Sequence, residues 1–178
     1  MTARGRAALL LVVVVAAAAC AGSEDAAMPR CDGDRRLAIV AQSVTDAAYV
    51  PCVAVLPPGW SFRSFDVERG RTRFSLSSDR ADEPVRVEFV GHCDVSDATP
   101  IAPRDEGVRT YERLTSISPQ YAGELLDVFP GGCVRSEFEF ERGPHIVLTE
   151  EMQRAVSLYS RQQLRQEVRD ELGVDLDP

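Results

Sequence analysis

No lysine occurs in the 178 residues; all 20 basic side chains are arginine. A phosphate-binding loop is thereby excluded, because its chemistry needs a lysine at the phosphates. Histidine is nearly missing, with only His92 and His145, more than fifty residues apart. A metal centre needs three or four ligands, and an imidazole base needs its partners in reach, which two distant histidines do not supply. There is no G-x-S-x-G, so no nucleophile elbow. Beyond residue 19 no apolar run is long enough to span a bilayer.

What is present begins at the first twenty residues. Arg4 and Arg6 precede an unbroken apolar run from Ala7 to Ala19, followed by Cys20-Ala21-Gly22. Thirteen residues make only about 20 Å of helix, short of a bilayer core, so the pattern is that of a cleaved export signal covering 1–19. Two processing routes fit. Ala17-Ala18-Ala19-Cys20 resembles a bacterial lipobox, in which the Cys20 thiol receives diacylglycerol and becomes the mature terminus; an ordinary signal peptidase would instead read the small residues and release the chain. The cysteine abutting the apolar run favours lipidation. Residues 20–30 then read as the lipidated cysteine and a polar tether, and 31–178 as a single domain.

Two of the 20 bases and none of the 28 acids lie in residues 1–19, so removing them takes the formal charge from −8 to −10. Such a surface repels nucleic acid. With Cys20 set aside, Cys31, Cys52, Cys93 and Cys133 form an even set, and an oxidising compartment predicts two disulfides. Of three connectivities, Cys31–Cys52 and Cys93–Cys133 are preferred because each pair brackets a plausible structural unit.

Asp34 can cap a helix whose Leu37, Val40, Ala41 and Val44 recur at helical spacing. Tyr49-Val50-Pro51-Cys52-Val53 reads as extended. Phe62–Val67 and Thr72–Leu76 suit a hairpin, Val85–Phe89 and Val134–Glu141 alternate apolar and charged residues, and Arg109–Ile117 and Leu125–Phe129 are weaker strands. Residues 94–107 read as a long loop. Thr149 can cap a helix with Met152, Ala155, Val156 and Tyr159 as its stripe, breaking near Ser160, where a capping box opens a last helix ending before Gly173. The fold class expected is α+β: an antiparallel sheet of about five strands with N-terminal and C-terminal helices on one face.

Chemistry is thinly signalled. His92 beside Cys93 lacks further partners, and a bridged cysteine is neither nucleophile nor ligand. Pro130-Gly131-Gly132-Cys133 suits a tight turn entering a strand, and Asp32-Gly33-Asp34 lacks the oxygens of a calcium loop. No catalytic residue, metal ligand or cofactor is assigned. Arg161, Arg165 and Arg169, spaced by four along the last helix, form a possible contact stripe for lipid head groups or an acidic partner; interspersed glutamines and glutamates make an ordinary solvated face the competing account.

The stretches Ala41-Gln42-Ser43-Val44, Pro51-Cys52-Val53, Leu56-Pro57-Pro58-Gly59-Trp60, Asp79-Arg80-Ala81, Cys93-Asp94-Val95-Ser96 and Phe129-Pro130-Gly131-Gly132-Cys133 together resemble a family of actinobacterial cell-envelope proteins without an established activity. The resemblance covers Cys31 to Leu172 and implies compartment and lineage, not substrate. The expectation is a lipid-anchored extracytoplasmic binding or accessory protein, held at the membrane through Cys20, with an envelope protein as possible partner; a secreted hydrolase using a carboxylate pair, or a structural spacer, are the alternatives. Intact mass spectrometry of the mature protein from native membranes is expected to show a diacylglyceryl group on Cys20 and a gain of four protons on reduction. An unmodified chain in the medium would remove the anchor, and free thiols would remove the bridges.

Overall fold

The computed structural model describes residues 28–81, 83–141 and 143–176. The export segment, Cys20 and most of the tether lie outside them. The last tether residues, however, belong to the domain: Met28 is buried, Val53 donates its N–H to the Pro29 carbonyl at 2.7 Å, and Arg30 bridges Val53.

Asp34 accepts the Leu37 N–H at 2.8 Å and so starts α1 (Arg35–Ser43), whose Leu37, Val40 and Ala41 are buried. A short strand, β1 (Tyr49–Val53), follows. The main sheet comprises β2 (Trp60–Glu68), β3 (Arg71–Ser78), β4 (Val85–Val90), β5 (Thr99–Ile101), β6 (Arg109–Ser116), β7 (Tyr121–Phe129) and β8 (Gly132–Phe140), in the order β2-β3-β4-β8-β7-β6-β5, with every neighbouring pair antiparallel. The expected five strands are thus seven. Both weak candidates are full strands, and β5 emerges inside the predicted loop 94–107, at a sheet edge where Pro100 is tolerated.

Alternation decides which face of the sheet is dry. Phe74, Leu76, Val85, Val87, Phe89, Val134, Phe138 and Phe140 share one buried cluster with Leu37 and Val40 of α1, and with Leu148, Met152, Leu164 and Val168 further on. Arg71, Arg73, Arg86, Glu88, Arg135 and Glu137 alternate with them and face out.

The C-terminal part departs most from expectation. Helix α2 (His145–Ala155) begins before Thr149, whose hydroxyl donates to the His145 carbonyl inside the helix and does not cap it. Val156 and Tyr159, assigned above to a helical stripe, lie in β9 (Val156–Ser160), which pairs antiparallel with β1, Val53 opposite Val156 and Val50 opposite Tyr159. Helix α3 (Arg161–Leu172) follows; Ser160 makes no side-chain cap, so the capping box is not formed, while Gly173 closes the helix at φ 65°. Tertiary pairing overrides the helical period here, and β-branched Val156 suits the strand. Tyr159 is half-buried and donates to Glu167 at 2.6 Å; partial burial and that carboxylate push its phenol up to about 12.

Cys31 is bonded to Cys52 and Cys93 to Cys133, closing loops of 21 and 40 residues. By chain entropy each contributes roughly 3–4 kcal/mol. Arg161 is 6% exposed. It donates from Nε to the Ala47 carbonyl and from Nη2 to the Val44 carbonyl, both at 2.7 Å, and also to that of Ala41. These carbonyls lie at or just beyond the end of α1, where orphan acceptors and the negative end of the helix dipole favour a cation. Arg104 does the same for α2, reaching the Gln153 and Val156 carbonyls while Nη1 meets the Asp127 carboxylate at 3.0 Å. Burial pushes the Asp127 pKa up, and Arg104 and Thr110 oppose that rise.

Arg161→Gln is expected to destabilise the domain by about 3–5 kcal/mol, because it strips a charged donor from buried carbonyls, whereas exposed Arg169→Gln should stay within about 0.5 kcal/mol. Urea unfolding measures both; equal effects would show that Arg161 is not a clamp.

Candidate functional site

The two-residue turn Arg69-Gly70 sets the register of the first hairpin, with Gly70 at φ 81° and Glu68 opposite Arg71. That register, carried across the sheet, lines up Arg73 opposite Glu88, Glu88 opposite Arg135, and Glu124 opposite both Glu137 and Arg113. Opposite charges at facing positions of antiparallel strands attract. Arg73 Nε donates to Glu88 at 3.1 Å, Arg135 pairs with Glu88, and Arg71 lies 3.9 Å from it. Arg113 pairs with Glu124, which Arg135 approaches at 3.8 Å. Arg71 also donates to Glu68 at 3.0 Å, and that hydrogen bond holds the Glu68 carboxyl below its usual range. Arg86 and Glu137 extend the lattice at 3.7 Å.

Glu88 and Glu124 are the least exposed acids of this face, at 17% and 14%. Arg135 stands between them, so they do not confront each other across an open gap as a hydrolytic pair would. Among the described residues, shallow depressions lie on the face. One of about 290 Å³ is bordered by Arg86, Glu124, Arg135, Glu137 and Glu139, and a second of about 230 Å³ by Arg73, Arg86 and Glu88. The third, again about 290 Å³, has Val90, Leu126 and the Cys93–Cys133 bridge among its lining, with Arg71, Arg113, Arg135 and His92 around it.

The residues singled out from sequence lie elsewhere or dissolve as a site. Of the three arginines of the expected contact stripe, Arg161 is withdrawn at the end of α1, Arg165 is half-buried, and Arg169 is exposed and pairs with Asp175 at 2.7 Å. Cys20 is outside the described residues. His92 is exposed at the rim of the third depression, while His145 stacks on Tyr121 at 5.4 Å, far along the chain from it. Among the described residues no group of three or more histidines, cysteines and acids is placed to hold a metal ion. Pro130-Gly131-Gly132 is a packed turn: Ala48 donates to the Pro130 carbonyl at 2.9 Å, and a Cβ on Gly131, at φ 71°, would overlap the Asp46 carbonyl. The arginine–glutamate lattice was missed. Its signal was visible as charges at every second position of Arg71–Ser75, Val85–Phe89 and Val134–Glu139, but the strand order that joins them was not.

No family model, curated protein or solved structure matches this chain.

Because Glu88 serves three arginines, Glu88→Gln is expected to cost about 1 kcal/mol in dilute buffer, the scale of surface ion pairs, and less in molar salt, where the interaction is screened. Urea unfolding at both ionic strengths checks this; a loss that salt leaves unchanged would mean that the lattice is not electrostatic.

Proposed function

We propose that this is a lipid-anchored, extracytoplasmic protein of the bacterial cell envelope that works by binding, as an accessory or sensory module, and that its binding surface is the open face of the seven-stranded sheet. The observation that carries the reading is the lattice itself. Charged side chains from five adjacent strands are held in register on the face opposite the buried cluster. The face is preorganised, since each long side chain is already fixed by a partner and loses little freedom when a ligand arrives. Two disulfides suit the oxidising space outside the cytoplasm, and the signal-like segment with Cys20 suits a membrane anchor on that side. The resemblance to actinobacterial envelope proteins points to the same compartment.

Arginine chemistry gives the test, because the chain has no lysine to compete for the reagent. Phenylglyoxal applied to intact envelopes and to purified protein is expected to modify exposed Arg35 and Arg169 equally in both. Arg73 and Arg86, at 47% and 60% side-chain exposure, are expected to be protected in the envelopes. Equal modification of all four would show that the face is unoccupied in the cell and would overturn the reading.

A further inference from the structure

We propose that the depression beside the Cys93–Cys133 bridge is a binding site for a carboxylate, carried by a small acid or a chain end with an apolar group next to it; this rests on the open face being the binding surface. Arg71, Arg113 and Arg135 converge there, and between them present about fifteen N–H donors, five per guanidinium. The acceptors within the lattice are fewer. Outside the depression Glu68 takes one nitrogen of Arg71, and Glu88 and Glu124 are shared among these three arginines and Arg73. Asp94, the remaining acid of the lining, turns its carboxylate to the Ser96 N–H at 2.9 Å, and Arg113 meets only its backbone carbonyl, at 2.7 Å. Nε of Arg71 and of Arg113 find no acceptor at all. Donors therefore exceed acceptors at this depression on an acidic protein.

A planar oxyanion is the group that such forks complement, through paired N–H···O bonds. One negative charge fits better than two, because Glu88 and Glu124 stand close by and repel a dianion such as phosphate more strongly. Half-buried Val90, in the lining of the depression, supplies apolar surface for the adjoining alkyl group. About 290 Å³ is near the lower end of small-molecule sites and suits one residue-sized group.

The probe is N-acetyl-alanine, added to the mature protein labelled with ¹⁵N-arginine, with inorganic phosphate and chloride at matched ionic strength as comparisons. Saturable shifts of the Nε–H resonances of Arg71, Arg113 and Arg135, with those of Arg35 and Arg169 unmoved, are expected. Arg113→Gln should weaken binding at least tenfold, and Arg109→Gln, on the same face but outside the depression, should leave it unchanged. Shifts spread over all arginines, a stronger response to phosphate, or no saturation in the millimolar range would overturn the proposal; the titration of the unsubstituted protein decides even if Arg113→Gln fails to fold. Protection of Arg73 and Arg86 in envelopes without a response to N-acetyl-alanine would remove the carboxylate and leave the face as the binding surface.

Discussion

The pairing of Val156–Ser160 with Tyr49–Val53 is the contact on which the second layer of the molecule depends. These ten residues come from segments more than a hundred positions apart, and four other constraints act through them. Cys52, in the middle of β1, is tied to Cys31 ahead of α1. Ala54 donates to the Ala155 carbonyl, and Arg161 donates its N–H to that of Ala48, so both ends of the ladder are extended by backbone bonds. The Arg161 side chain, immediately after β9, then closes the end of α1. The ladder therefore gathers the ends of α1, α2 and α3 at one place, beyond pairing two strands. A two-stranded ribbon is marginal in water; here it persists because Val50, Cys52, Val53 and Val156 are buried.

Having arginine as its sole base shapes the interior as well as the surface. A guanidinium offers several donors in a plane and stays charged, so one side chain can satisfy several carbonyls that an ammonium would reach one at a time. Arg161 and Arg104 exploit this at two helix ends. Arg80 shows a third use: with Trp60 Nε1, which donates at 2.8 Å, it binds Glu151 on α2. Partial burial alone would raise the Glu151 pKa, but these hydrogen bonds outweigh it and hold the carboxyl below its usual range. The same contact explains two of the sequence stretches noted at the outset. Leu56–Trp60 and Asp79–Ala81 meet, Asp79 donating to the Gly59 carbonyl and Arg80 to that of Pro58. Those stretches are packing devices.

Local patterns were readable where one element's own period dominates. Asp34 with Leu37, Val40 and Ala41 announced α1, and strict alternation announced β4 and β8. Edges and pairings were not readable. Nothing local distinguishes Val156–Tyr159 as strand from one more helical turn, because the deciding partner, Val50–Val53, lies a hundred residues away. Arg161 looked solvated because its neighbours Gln162 and Gln163 are; only the position of the end of α1 makes it a buried cation. The candidate site was half legible. The alternating charges told which face is wet, but the order β3-β4-β8-β7-β6, which brings Arg71, Arg135 and Arg113 around one depression, follows from long-range register.

Met28, Pro29 and Arg30 dock on Val53, at the end of β1, so the chain joins the domain among the helices, on the far side of the sheet from the charged lattice. If Cys20 carries the lipid, as proposed, only residues 21–27 separate it from this fixed point. Seven residues reach at most about 25 Å when fully extended. The domain would then be kept on a short leash, attached on the side opposite the lattice. The attachment point would thus leave the proposed binding face clear of the tether.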